Sequence, residues 1–191
     1  MSRKWVALLT VLLVSAGCAA LPPTPGCTPL GRGQFCLLPP SALPPVEASH
    51  LVSVTRDGRE HVFMGLLHID THDLRLAAFS LFGTNVFNLD YDGQHLTTRP
   101  GNTDWHPQEL VAMLELTLAD PGLLQNRLHD LTLKVRETGQ GQIREVFQGS
   151  RLIVRIEKSA APLREAQVQI EIPPAKLSVR MTPLAAAASS P

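Results

Sequence analysis

Aromatic side chains are scarce in this chain: six Phe, two Trp and one Tyr make up 5% of its 191 residues. An interior with so few rings has to be filled by Leu, Val, Ile and Met, an aliphatic lining suited to an acyl chain or polyene. Net charge of one sign is also lacking, since 17 basic residues are balanced by 17 acidic ones. Lys and Arg are scattered along polar strand faces and form no patch, which argues against nucleic acid as a partner. No glycine-rich loop precedes a helix to cradle phosphate, and Ser80 does not sit in a G-x-S-x-G turn. No catalytic residue, no enzyme activity and no cofactor is therefore expected. Only three cysteines occur, and the spacing of Cys27 and Cys36 excludes a C-x-x-C redox or zinc motif. The length suits one domain with a real core.

The N-terminus carries the strongest signal. Met1-Ser2-Arg3-Lys4 leads into the uncharged run Trp5–Ala16 and then Val14-Ser15-Ala16-Gly17-Cys18. Twelve helical residues reach about 18 Å, short of the ~30 Å hydrocarbon core, so this run does not span a bilayer. Basic start, apolar run and small residues before a cysteine read as a lipoprotein export signal over residues 1–17, with Cys18 lipidated. Ser15 stands where Leu is commonest in such a lipobox, and the alternative is an ordinary secretory signal with a cysteine at its cleavage site. Loss of Arg3 and Lys4 with the signal leaves the mature chain two acids in excess. Cys27 and Cys36 then form an even pair in an oxidising compartment. Either they bridge, closing a loop of about ten residues worth roughly 2–3 kcal/mol, or they are free thiols.

Residues 18–47 contain Pro22, Pro23, Pro25, Pro29, Pro39, Pro40, Pro44 and Pro45 and are expected to be an extended tether. A β domain is expected over 48–183 and a disordered Ala/Ser-rich tail over 184–191. Leu51–Thr55 is followed by Asp57-Gly58, a hairpin signal, and by Val62–Ile69. Leu74–Phe82, Val86–Tyr91 and Gln94–Thr98 continue an antiparallel meander between short polar turns. Pro107 opens a helix in which Leu110, Val111, Met113, Leu114, Thr117 and Leu118 recur at helical spacing. Gln108, Glu109 and Glu115 are expected to face outward, and a second helical turn is expected over Leu123–Leu128. Leu131–Arg136, Gln142–Gln148, Leu152–Glu157, Gln167–Ile172 and Leu177–Thr182 then resume the strands, with apolar and polar residues alternating.

A long antiparallel sheet with one apolar face and one convincing helix has to wrap round that helix. The expected fold is mainly β: a curved half-barrel of about ten strands with one helical insertion as lid. Val62, Met64, Leu66, Leu76, Phe87, Leu89, Leu110, Leu114, Leu133, Val168, Ile170 and Val179 are its expected lipid-cavity lining. The alternative is that the same residues pack as a solid core.

His68-Ile69-Asp70-Thr71-His72-Asp73 is the one cluster that invites a metal, because His68, Asp70 and His72 share a side of an extended strand. The same residues read equally as a turn, where Asp and Thr serve the backbone. No metal is expected there.

Leu74-Arg75-Leu76-Ala77-Ala78-Phe79-Ser80-Leu81-Phe82-Gly83, running into Val86-Phe87-Asn88-Leu89-Asp90-Tyr91-Asp92-Gly93, is similar to a strand–loop–strand segment of LolB. Trp105-His106-Pro107-Gln108-Glu109-Leu110 resembles the start of the same family's helical insertion. With the lipobox, residues 48–182 resemble the LolA/LolB class of periplasmic lipoprotein-handling proteins. The chain looks most like an uncharacterised lipoprotein family related to that class and found near aryl-polyene biosynthesis genes. In LolB a leucine of the loop protrudes and dips into the membrane; the matching position is Phe82, with Leu81 beside it. The other reading of Phe82 is a plug for the end of the core. The loop lacks a proline before its large apolar residue, and the Pro-rich leader with its cysteine pair is not a LolB feature.

The resemblance implies an outer-membrane lipoprotein, anchored by its N-terminal lipid, facing the periplasm and binding or transferring a lipid or acylated ligand. A periplasmic carrier protein is a candidate partner. Ala19 after Cys18, rather than aspartate, fits sorting to the outer membrane. The rival expectations are a scaffold lipoprotein with a solid core that binds another envelope protein, and a metal-dependent enzyme using the His68 cluster.

Overall fold

The computed structural model describes residues 26–99 and 106–184. The export signal, Cys18, Trp105 and the chain after Leu184 lie outside the described residues.

The chain opens with a short hairpin, β1 (Cys27–Leu30) and β2 (Gly33–Cys36), whose ends are joined by a Cys27–Cys36 disulfide. β3 (Val46–Arg56), β4 (Arg59–Ile69), β5 (Leu74–Phe79), β6 (Asn85–Tyr91) and β7 (Leu96–Arg99) form one antiparallel meander. α1 (Pro107–Leu118), α2 (Pro121–Gln125) and the two-residue β8 (Leu128–His129) follow. A second meander comprises β9 (Thr132–Thr138), β10 (Gly141–Gln148), β11 (Arg151–Ser159), β12 (Val168–Ile172) and β13 (Leu177–Pro183). β13 pairs with β3, so the two meanders join centrally into one ten-stranded sheet ordered β7-β6-β5-β4-β3-β13-β12-β11-β10-β9.

Turn chemistry sets this register. Asp57 (φ 48°) and Gly58 (φ 78°) are both left-handed, as the tight β3–β4 hairpin requires. Asp70 Oδ1 accepts from the N–H groups of His72 (2.7 Å) and Asp73 (2.9 Å) in the β4–β5 turn. Asp92 Oδ1 does the same for Gln94 and His95 in the β6–β7 turn. Both are turns in which an aspartate side chain stands in for a backbone carbonyl.

The sheet is open, because its edge strands β7 and β9 each pair on one side only. Ten flat strands would hold those edges about 43 Å apart, whereas the α1 that lies between them is about 18 Å long. Curling the sheet round α1 brings its apolar face and the helix together, which is the mainly β half-barrel with a helical lid. Leu67, Ile69, Leu74, Leu89, Val154 and Ile156 are buried on that face.

Two expectations are corrected. From Gly26 onward the Pro-rich leader is part of the body rather than a tether. Phe35, Leu37, Leu38 and Leu43 are buried in the same core as the sheet, and β2 pairs with β8 into a three-stranded sheet. Proline does not prevent this, since Pro39 and Pro40 occupy an extended residue and the short turn after it. Glu115 faces inward, 0% exposed, because the leader covers the side of α1 away from the sheet. Leu38 N–H donates to its Oε2 at 2.9 Å.

Candidate functional site

Parity along the strands decides what faces the helix. His50, Val52 and Val54 of β3 pair with Gly65, Phe63 and His61 of β4 and point to the concave side. Val52, Phe63, Leu67, Leu76, Phe87, Ile170, Val179 and Met181 wall a cavity of about 110 Å³ under Leu110, Met113 and Leu114 of α1. Gly65, opposite His50, leaves room there; a Cβ at 65 would lie 3.1 Å from Val52 Cγ2. The cavity continues past Val54, Phe63, Phe87, Met113 and Leu177, which it shares with an open cleft of about 490 Å³. Gly31, Arg56, His61, Pro174 and Ala175 rim that cleft.

Strand direction fixes which end this is. The β3–β4, β5–β6, β10–β11 and β12–β13 turns all lie at the mouth, as alternate turns of an antiparallel sheet must. The β5–β6 turn carries Leu81 and Phe82, 58% and 98% exposed. Its loop is held by Ser80 N–H to Thr84 O (2.8 Å), Gly83 N–H to Ser80 O (2.9 Å) and Thr84 N–H to Ser80 Oγ (3.1 Å). Phe82 therefore does not plug the core; it stands in solvent on a hydrogen-bonded loop.

Of the expected lining, Leu76, Phe87, Leu110, Leu114, Ile170 and Val179 face the cavity. Leu89 and Val168 are buried in the core away from it, and Leu133 is half-buried at the edge. Val62, Met64 and Leu66 are corrected: they point from β4 to the convex face, with Val62 38% and Leu66 43% exposed. β4 is apolar on both faces, so alternation alone left its parity open, and pairing with β3 settles it.

Two polar groups, His50 and Arg144, escaped the sequence reading, and a third, Glu115, was expected on the outer face. His50 is buried with Nε2 3.2 Å from Ala166 O; that carbonyl only accepts, so Nε2 carries the proton. Burial pulls its pKa below 6.5, leaving a neutral ring in the cavity wall. Arg144, buried on β10, donates from Nη1 to Leu116 O (2.9 Å) and Ala119 O (2.8 Å), clamping the end of α1 to the sheet. Glu115, with Oε1 unpartnered among the described residues, is pushed up to about 8 chiefly by burial. The helix start has no such fixing: His106 makes no side-chain cap, and it lies at the cavity with Glu109.

In the His68 cluster, His72 does not join His68 and Asp70; Asp73 does, its ligand atom within 4.8 Å of theirs. These acids already have work in the turn. Asp70 Oδ1 serves two backbone N–H groups, Asp70 Oδ2 lies 3.4 Å from His68 Nε2, and Asp73 Oδ2 pairs with Arg75 at 2.5 Å. Those backbone bonds hold Asp70 down at about 2.

A family model described as Protein of unknown function (DUF3261) matches residues 47–185, and the chain belongs to that family. No curated protein matches the chain.

Proposed function

We propose that this member of the DUF3261 family is a LolB-like outer-membrane lipoprotein, anchored through Cys18 and facing the periplasm. Its work is to shelter a lipid or acylated molecule, of which the aliphatic or polyene chain occupies the cavity. The observation that carries this reading is the shared end: the apolar cavity opens where Leu81 and Phe82 stand exposed. A side chain such as Phe82 gains about 1.5–3 kcal/mol on leaving water for hydrocarbon. With the tip in a bilayer, an acyl chain could pass from one apolar environment to another through the mouth without crossing water. The 110 Å³ beneath α1 is below the roughly 300–1,000 Å³ of ordinary ligand pockets. Entry therefore requires the capless start of α1, with Leu110 and Met113, to swing from the sheet while Arg144 holds its far end.

The small volume supports a second reading, a scaffold lipoprotein with a filled core that binds another envelope protein. Native mass spectrometry of the mature chain, residues 18–191 carrying Cys18→Ala, separates the two. The shelter predicts a co-purified lipid that Leu114→Trp displaces; a ligand-free protein whose fold and partner binding survive Leu114→Trp removes the shelter.

A further inference from the structure

Five turns meet round the mouth, and all but the β5–β6 turn bring exposed positive charge. The β3–β4 hairpin places Arg56 directly opposite Arg59. The β12–β13 turn adds Lys176, whose carbonyl accepts from Asp57 N–H at 3.4 Å, so these three cations are neighbours. The β10–β11 turn adds Arg151. Arg32 comes from the β1–β2 turn, tied to the previous one by its N–H donating to Gln148 Oε1 at 3.3 Å. All five side chains are exposed, and none forms an ion pair among the described residues. Asp57, Glu60, Glu109 and Glu171 are acids at this end; Glu60 already accepts from Ser53 and Glu171 from Gln169.

The opposite end contrasts. Its turns carry Asp70, Asp73, Asp92 and Glu165; Arg75 pairs with Asp73 and Arg164 with Glu165, while Lys158 is held by the carbonyls of Ser159 and Ala161. Like charges facing each other across a hairpin weaken it, and an anion beside Arg56 and Arg59 relieves that repulsion. Leu81 and Phe82 emerge from the neighbouring turn. Cations next to a solvent-exposed apolar tip match a surface with negative charge outside and hydrocarbon beneath.

We infer that the mouth end docks on a bilayer surface rich in anionic lipid, the five cations reading headgroups while Leu81 and Phe82 enter the acyl layer. The inference deepens the proposed lipid shelter by naming the surface its mouth faces, and it is tested separately from it. The mature chain, residues 18–191 carrying Cys18→Ala, is co-sedimented with phosphatidylcholine vesicles and with vesicles containing phosphatidylglycerol. Binding should favour the anionic vesicles and fall with salt. At about fivefold per charge removed, Arg56→Gln/Arg59→Gln/Lys176→Gln should lower anionic binding on the order of a hundredfold and leave neutral vesicles unaffected. Phe82→Ser should weaken both. Arg75→Gln/Arg164→Gln, at the far end, should change neither. Equal binding to both vesicle types overturns the docking surface, as does a preference for anionic vesicles that survives the triple substitution. So does an equal loss from the far-end pair, which would make net charge the cause. Co-purified lipid, measured on the same preparations, reports on the shelter alone.

Discussion

Leu38 N–H donates to Glu115 Oε2 at 2.9 Å, tying the leader to the helix that roofs the cavity. One hydrogen bond thus links the segment that follows the disulfide-closed hairpin to the lid. The acid that accepts it has no partner for its other oxygen among the described residues. Such a site tolerates a neutral carboxylic acid far better than a carboxylate.

Stability should therefore fall with rising pH. The folded-state pKa of Glu115, about 8, lies above its ordinary 4.5. Its contribution is fully present below about 4.5 and is lost as pH climbs through 8, on the order of 5 kcal/mol in all. Glu115→Gln keeps an acceptor for Leu38 and removes the ionisation. Its denaturant-measured stability should stay flat between pH 7 and 9 while that of the parent protein declines, each relative to its own value at pH 7. Parallel pH profiles would show that Glu115 is already solvated. His50 adds an opposite slope below 6.5, common to both proteins, because its lowered pKa favours the neutral ring.

Arg144 is the second fastening of the lid. Arg144→Met retains most of the buried stem but leaves Leu116 O and Ala119 O without their charged donor. A loss of about 2–4 kcal/mol is expected, accompanied by faster amide exchange in the last turn of α1. Unchanged exchange there would mean that water replaces the guanidinium.

The ten strands were largely legible because ten runs alternate or end in Asp, Asn and Gly turns, and because Pro107 marks the helix start; the β3–β13 pairing that joins the two meanders was not. The leader's burial was not legible: proline density describes what a segment cannot form, whereas its packing depends on Phe35, Leu37 and Leu38 meeting α1. Glu115 read as a surface residue for the same reason, since its cover comes from 77 residues earlier in the chain. The cavity was half legible. Leu76, Phe87, Leu110 and Leu114 were found, but β4 carries Val62, Met64 and Leu66 on one face and Phe63 and Leu67 on the other. The basic rim had no signal at all, because Arg32, Arg56, Arg59, Arg151 and Lys176 are gathered only by the turns.

That parity can be tested on adjacent residues. Leu67 is buried in the cavity wall, whereas Leu66 is 43% exposed on the convex face. Leu67→Ala should lower stability by about 2–4 kcal/mol, and Leu66→Ala by well under half of that. Equal losses would place the convex stripe under a cover.

Reduction of Cys27–Cys36 should act on the lid before it acts on the sheet. The bridge closes a short loop, and opening it costs roughly 2–3 kcal/mol in the chain-entropy model. Its hairpin carries Phe35, lies against α1 and leads directly to Leu38, so the freed leader weakens the hold on Glu115. β3 and β4 are paired along eleven residues each, independent of the leader. Amide exchange after mild reduction should therefore rise in β1, β2 and α1 from Leu110 to Leu116 while β3 and β4 keep their protection. If a lipid occupies the cavity, the same treatment should speed its release. A uniform rise across both meanders would instead mean that leader and sheet unfold as one unit, and the helix would then have no independent motion with which to open the mouth.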